Sequence, residues 1–191
     1  MKEKVLLTAA AFLGAMVLTG CSLFETANGI VLYGDEEKVL SSLEEEHKGQ
    51  IEKDSYSVKI IEADDKRALV MDEATAKVLI EKELLKKVEG DDAKAISELP
   101  KISEGEGVIF AKTSDDASVL GGMDLTAKYE GNIIIGDGRA YVDMFLVVTE
   151  EDLHSISGTD KTIGVIQYNK DPDGIGAFGV DREQLVRIAE K

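Results

Sequence analysis

The sequence predicts one α+β domain with a largely antiparallel sheet and three or four helices. Three observations lead to this class. Eight or nine short apolar runs are separated by turn residues, several of these runs follow one another as hairpins, and three or four segments have helical spacing. With 191 residues, 43% hydrophobic and 31% charged, the chain has ordinary globular composition and is long enough to bury a core.

The first elements are a strand at residues 30–33, ended by Gly34, and a helix that Asp35 caps. This helix is expected to continue to about residue 48. Its inward side chains are predicted to be Val39, Leu40 and Leu43.

Residues 56–62 and 66–71 flank Asp64-Asp65 and predict a hairpin. Asp72 then has the position of an N-cap for a long helix that reaches about residue 89. The apolar stripe of this helix recurs at every fourth residue: Ala76, Ile80, Leu84 and Val88. Glu83 and Lys87 are predicted to pair on its solvent side.

Residues 90–107 are predicted to be the least structured part of the mature chain. Strand-like runs follow at residues 108–112, 119–128, 132–135 and 140–148. Asp137-Gly138 predicts a hairpin turn between the last two of these runs.

The last third begins with a helical turn capped by Thr149 and continues with a strand at residues 162–168. A turn is predicted at residues 171–174. Asp181 with Gln184 three residues later resembles a capping box and predicts a helix up to the C-terminus. Four tyrosines are expected in the core: Tyr33, Tyr56, Tyr141 and Tyr168.

The N-terminus has the pattern of an export signal. Two lysines precede an apolar run at residues 5–18, which is too short to span a bilayer and has the length of a signal-peptide h-region. The run ends in Leu18-Thr19-Gly20-Cys21, and these four residues resemble the recognition motif of bacterial lipoproteins. In that class a dedicated signal peptidase recognises the residues before the cysteine and cuts there, and the cysteine thiol carries a diacylglyceryl group.

This resemblance implies three regions: a removed lipoprotein signal peptide at 1–20, a short membrane tether at 21–29 and a single α+β domain at 30–191. Cys21, the only cysteine, would be lipidated, and its acyl chains (palmitate-like) would keep the domain at the outer face of the cell membrane. An ordinary secretory signal followed by a chance cysteine, or a retained anchor helix, remains the alternative.

The net charge of the chain limits the kinds of partner that we expect. The chain has 38 acidic and 22 basic residues, and the mature form would carry a net charge of −17. Because phosphate-backbone binding depends on clustered cations, nucleic acid is not expected as a partner. The expected partners are membrane lipid, through Cys21, and a protein located close to the membrane.

No catalytic motif stands out, and we expect no cofactor, no metal and no enzyme activity. The glycine-rich stretch at residues 174–179 spells a dinucleotide fingerprint, but too little chain follows it for the rest of that fold, so we interpret it as a turn or strand. Three Asp pairs fall in predicted turns, and their convergence on a cation stays open: Asp64-Asp65, Asp91-Asp92 and Asp115-Asp116. His47 and His154 are isolated, and a helix-end contact or exposure for the first and a local salt bridge for the second explain them.

A second, shorter resemblance concerns Ala27-Asn28-Gly29-Ile30 and the segment at residues 130–136. Both are similar to a family of small, functionally uncharacterised lipoproteins from Gram-positive spore formers, and the likeness covers most of the mature domain. It implies no activity. The sequence therefore predicts a membrane-anchored extracytoplasmic lipoprotein that acts as a non-catalytic binding or interaction module; the alternatives are a small-ligand or cation-binding lipoprotein and, less favoured, a carboxylate-based hydrolase.

Overall fold

A computed structural model of the chain describes residues 26–120, 125–172 and 178–190. These residues form eleven strands and four helices. The strands are β1 (Gly29–Gly34), β2 (Gln50–Ala63), β3 (Lys66–Asp72), β4 (Leu85–Glu89), β5 (Asp92–Ala95), β6 (Glu106–Phe110), β7 (Thr126–Gly131), β8 (Ile133–Ile135), β9 (Met144–Val148), β10 (Thr159–Tyr168) and β11 (Arg182–Val186). The helices are α1 (Glu36–Glu44), α2 (Glu73–Glu81), α3 (Ser114–Ala117) and α4 (Glu150–Ser155).

Eight strands form one mixed sheet in the order β11-β1-β10-β2-β3-β9-β6-β7, and β5-β4-β8 form a small second sheet. The pairs β3–β9 and β6–β7 are parallel, while the other pairs of both sheets are antiparallel. The predicted α+β class with a largely antiparallel sheet is confirmed.

The large sheet is covered on both faces. Because side chains alternate along a strand, Val31 and Tyr33 of β1 point to one face and Ile30 and Leu32 to the other. The first face packs with α2 and the small sheet into the main hydrophobic core. The second face packs against α1 and, at the β9 side, against α3 and α4.

Several predicted elements lie where the sequence places them. The hairpin of β2 and β3 turns at Asp64 and Asp65, which both have positive φ (48° and 63°). The N-cap side chains of Asp72 and Thr149 accept hydrogen bonds from backbone N–H groups of their helices.

The first helix differs from its prediction in three details. Asp35 precedes α1 as predicted, but its carboxylate makes no cap hydrogen bond, and the helix ends at Glu44 instead of residue 48. Val39 and Leu43 are buried as predicted, whereas Leu40 is exposed. Neighbouring residues of a helix point about 100° apart, so Leu40 falls outside the narrow stripe that a nine-residue helix buries.

The long helix predicted from Asp72 to residue 89 is wrong beyond Glu81. Glu83 adopts a left-handed conformation with φ 55°, and the N–H groups of Glu83 and Leu84 donate to the carbonyls of Ile80 and Leu79. This is a Schellman motif, and Leu79 and Leu84, the residues at the positions of its usual hydrophobic contact, are both buried in the main core. The sequence concealed it because the left-handed position holds glutamate and not the usual glycine.

Replacing Glu83 with glycine is therefore expected to stabilise the protein by about 0.5–1 kcal/mol, since glycine has no Cβ to strain in this conformation. The side chain of Glu83 is exposed and loses no contact in the change. Urea unfolding measures the effect. Ala74→Gly, at an exposed position inside α2, is the control and should destabilise by about 0.5–1 kcal/mol. A loss of stability in Glu83→Gly would contradict the Schellman assignment.

The C-terminal helix predicted from Asp181 is also wrong, because residues 182–186 form the edge strand β11. Gln184 and Val186 are buried while Leu185 is exposed, which is the alternation of a strand. Backbone pairing with β1 over five residues outweighs the local helix signal. The side chain of Gln184 donates to the carbonyl of Ile135 and not to a helix N-terminus.

Smaller corrections concern the middle of the chain. Asp137-Gly138 does not join two hairpin strands, because β8 pairs with β4 in the small sheet and β9 with β3 and β6 in the large one. Ser118–Leu120 is a 3₁₀ helix where a strand was expected. The segment predicted as least structured contains β5. The predicted turn at 171–174 lies partly outside the described residues, as does the glycine-rich stretch.

The direction of β1 defines two ends of the domain. Gly29 pairs with Gln167 and Val186 at one end, and Tyr33 pairs with Ile163 and Arg182 close to the other. Five residue steps at about 3.3 Å separate the ends of β1 by about 17 Å. We name the end at Gly29 the anchor pole, because the chain enters the domain there, and the end at Gly34 the distal pole.

Candidate functional site

The predicted lipidation residue Cys21 and the predicted peptidase-recognition residues Leu18, Thr19 and Gly20 lie outside the described residues. Thr26 is the first residue that the structure describes, and it lies two residues before the buried Asn28. None of the helices in the described part is long and apolar enough to cross a membrane.

At the anchor pole, Asn28 holds the C-terminal segment. Its Oδ1 accepts a hydrogen bond from the Ile188 N–H at 2.7 Å, and its Nδ2 donates to the Ile188 carbonyl at 3.0 Å. A Cβ at Gly29 would overlap the Ile188 side chain. Asn28-Gly29, part of the motif that suggested the spore-former family, thus forms a clamp that fixes where the chain enters the domain.

The distal pole carries a cluster of polar side chains. Asp35 follows the last residue of β1, and Asp181 precedes the first residue of β11. Lys161 lies in β10 next to Thr162, which pairs with Gly34, so the three adjacent strands bring the charged residues together. The Lys161 Nζ lies 2.6 Å from Asp35 Oδ1 and 2.7 Å from Asp181 Oδ2. Lys38 adds a second ammonium, 3.0 Å from Asp35 and 3.8 Å from Asp181.

Tyr141 connects this cluster to the core. Its hydroxyl donates to Asp181 Oδ2 at 2.9 Å, its ring stacks on that of Tyr33 at 5.1 Å, and the Arg67 guanidinium lies 4.5 Å from the ring centroid. Tyr33 is buried and donates to Gln184. We call Asp35, Lys38, Arg67, Tyr141, Lys161 and Asp181 the distal network.

The network holds fixed charges. Hydrogen bonds to Asp181 and Asp35 raise the pKa of Lys161, and the hydrogen bond from Lys161 is the main cause that lowers the pKa of both Asp35 and Asp181. Burial, followed by the contact with Asp181, raises the pKa of the Tyr141 hydroxyl. All four groups therefore keep their protonation state around neutral pH, so the network suits recognition by charge and hydrogen bonds better than proton transfer.

Acid should weaken the network. Because the pKa values of Asp35 and Asp181 are lowered by folding, their stabilising effect is present above the unfolded-state pKa, about 4, and is lost as the pH falls through the folded-state pKa. Lys161→Met should lower the Tm by about 3–6 °C at pH 7, and this difference from the wild type should shrink as the pH falls below about 4.

Thermal unfolding from pH 7 to pH 2 measures this. Lys59→Met is the matched control, because Lys59 Nζ donates to the carbonyls of His154 and Ile156 and to no carboxylate within the described residues. Its effect should not shrink in acid. A Lys161→Met difference that stays constant down to pH 2 would contradict the ion-pair geometry.

A second charged cluster lies on β2 beside the end of α2. Lys82 is buried, with its Nζ 2.7 Å from Glu52 Oε1 and 3.0 Å from Asp54 Oδ2. Burial lowers the pKa of Lys82, but the bonds to the two carboxylates outweigh burial and raise it above its usual value. Both carboxylates thus bind the same ammonium, which ties α2 to β2.

The other candidates from the sequence stay separate. The three Asp pairs lie at the β2–β3 turn, the β4–β5 turn and α3, and Asp116 is bound by Lys66. Within the described ranges no three His, Cys, Asp or Glu side chains approach closely enough to hold a metal ion. His47 lies edge-on to Phe178 at 5.0 Å, and His154 Nδ1 lies 2.7 Å from the Glu150 carbonyl, so the predicted salt bridge of His154 is replaced by a backbone contact.

Sequence reasoning did not single out Lys161, Arg67 or Lys82. Asp35 and Lys161 are 126 residues apart, and no local pattern indicates their contact. Tyr33 and Tyr168 are buried as predicted, whereas Tyr141 is partly exposed and carries polar contacts.

In this domain the clamp of Asn28 and Gly29 fixes where the chain enters. No group of catalytic residues is brought together among those that the structure describes. The chain belongs to a known class of protein. The chain matches, over residues 27–189, a family described as an uncharacterised lipoprotein family, and it belongs to that family. It is also similar to a lipoprotein from Bacillus anthracis whose crystal structure is known, with 30% identity and a TM-score of 0.74, over 85% of this chain and 100% of that one. No curated protein matches the chain. The resemblance to lipoproteins of Gram-positive spore formers is confirmed.

Proposed function

We propose that this lipoprotein is held at the outer face of the cell membrane by a diacylglyceryl group on Cys21, after removal of residues 1–20. It is a non-catalytic module that binds a membrane-proximal protein through the distal network. The observation that carries the proposal is the direction of β1. The strand starts at the clamp that receives the tether and ends at Asp35, so the charged network faces away from the anchor.

The composition of the network supports a protein partner. It combines two carboxylates, three cations and an aromatic ring that is partly exposed. Tyrosine and arginine are enriched at protein interfaces, where they give large contact areas and directional hydrogen bonds. Asp35 and Lys38 are each half exposed and can exchange their mutual ion pair for one with a partner.

The anchor is tested by substitution at the cysteine. Cys21→Ala should abolish lipidation, so that the protein is no longer held by acyl chains, and the mass of the N-terminal peptide from the wild type should include a diacylglyceryl group. An unmodified Cys21 in protein purified from the native membrane would overturn the anchor.

The interaction is tested by crosslinking on intact cells. A photoreactive amino acid at Lys38 should capture one identified protein, while the same group at Lys94, on the wholly exposed strand β5, should not. Capture from position 38 should be lost in Tyr141→Ala. Equal capture from both positions, or none, would contradict a partner at the distal pole.

The alternative is a small-ligand or cation-binding lipoprotein. The open cavities of the described part include one of about 370 Å³ around the β2–β3 turn, which is lined by Lys66, Arg67 and acidic residues. A rise in Tm with a divalent cation or a small metabolite, absent in Arg67→Ala, would favour this alternative over a protein partner.

A further inference from the structure

Ile51 is an apolar side chain that is exposed to solvent. Its exposed fraction is 59%, the largest of the exposed large apolar residues in the described part of the chain, where Leu185 has 52% and Leu40 has 38%. It lies in β2 between Gln50, which pairs with Tyr168, and Glu52, which pairs with Gln167. Ile51 is thus the extra residue of a β-bulge, and bulges commonly turn a side chain outward.

The bulge lies at the anchor pole. The N–H of Tyr168 donates to the Asn28 carbonyl at 2.8 Å, so Ile51 is at the same height along the sheet as the point where the tether enters. Seven residue steps connect Cys21 to Asn28 and reach at most about 25 Å. Because the hydrogen bonds between Asn28 and Ile188 hold the start of β1 in place, β1 cannot unpair and add residues to the tether. A lipid on Cys21 would therefore keep this pole near the bilayer.

The charged side chains around Ile51 are of both signs. Lys48 and Lys170 are exposed on either side of Gly49, and neither has an ion-pair partner within the described residues. The acidic residues Glu45 and Glu190 lie near His47 and Arg187, respectively. Three exposed carboxylates, Glu44, Glu46 and Asp171, outnumber the two lysines, so apolar contact and not net attraction must account for any docking.

We propose that the anchor pole docks on the bilayer that holds the chain's own lipid, with Ile51 at the boundary between headgroups and acyl chains and Lys48 and Lys170 at the phosphates. This inference rests on the proposed lipidation of Cys21. Docking would fix the orientation of the domain on the membrane. In this orientation the distal network lies away from the bilayer by at least the length of β1.

The chain contains no tryptophan, which makes a single reporter available. Ile51→Trp, made in the full lipidated protein extracted from a Gram-positive host, is inserted into phosphatidylglycerol–phosphatidylcholine vesicles whose acyl chains are brominated. Its emission should shift to shorter wavelength and be quenched. Ser57→Trp is the control: position 57 is exposed on the same strand, six residues and about 20 Å towards the distal pole, and this variant should show neither effect.

Flotation of the vesicles separates the two proposals. If the protein does not float with the vesicles, the anchor on Cys21 is wrong and docking falls with it. If it floats but the emission of the Ile51→Trp variant is quenched no more than that of the Ser57→Trp variant, the anchor stands and docking is overturned.

The same experiment distinguishes the bilayer from another occupant of the surface around Ile51, the tether itself. Ile51 lines an open cavity of about 360 Å³ with Glu52, Tyr168 and Glu190, and the tether residues Leu23 and Phe24 are close enough in sequence to fill it. If the emission of Ile51→Trp is already shielded in detergent, and stays unchanged in vesicles without bromine quenching, the tether fills the cavity and docking is overturned. Lys48→Cys with an environment-sensitive dye gives an independent readout, because the only natural thiol would be lipidated.

Discussion

Replacing Asn28 with alanine is expected to lower the free energy of unfolding by about 3–4 kcal/mol, or about 10 °C in Tm. Asn28 is buried, and the substitution removes both hydrogen bonds to Ile188. The loss is large because the N–H and the carbonyl of Ile188 would then stay buried without these partners.

Urea unfolding of the wild type and the variant measures the effect. The matched control is Asn169→Ala, an exposed asparagine at the same pole, which should change stability by less than about 0.5 kcal/mol. Detachment of the C-terminal segment should also expose residues 186–190 to carboxypeptidase in Asn28→Ala. A destabilisation as small as that of the control would mean that the clamp does not hold the C-terminal segment to the start of β1.

The clamp illustrates which features the sequence could predict. Ala27-Asn28-Gly29-Ile30 was noticed as a family resemblance, but its physical role depends on Ile188, 160 residues away, and no local pattern indicates that contact. The same limit applies to the distal network, whose six residues come from five segments that are distant in sequence. By contrast, the β2–β3 hairpin and the caps at Asp72 and Thr149 involve neighbours in sequence and were predicted correctly.

The two wrong helices have opposite physical origins. In residues 82–89 a local conformation, the left-handed Glu83, ends α2 although the apolar spacing continues in helical register. In residues 182–186 local signals favour a helix, and tertiary pairing with β1 produces a strand. The first helix was predicted from the spacing of its apolar residues and the second from a capping-box pattern, so neither prediction used the feature that decides the structure.

Replacing Lys82 with methionine is expected to destabilise the protein by about 2–3 kcal/mol at pH 7. The methionine fills the aliphatic volume of the lysine but leaves Glu52 and Asp54 without the ammonium that both contact. Removing one partner of a fully buried pair costs about 3–5 kcal/mol, and the effect here is smaller because the two carboxylates are about one third exposed, at 37% and 34%.

Lys77→Met, inside α2, is the control, since Lys77 is 61% exposed and pairs with Glu73 on the helix surface, so that its loss should be below about 0.5 kcal/mol. A double-mutant cycle with Asp54→Asn isolates the interaction: Lys82→Met should cost less in the Asp54→Asn background, because one uncompensated charge is already gone. Equal losses in the two backgrounds would show that Lys82 and Asp54 do not stabilise each other. The charge-based account of how the end of α2 is held against β2 would then be wrong for Asp54.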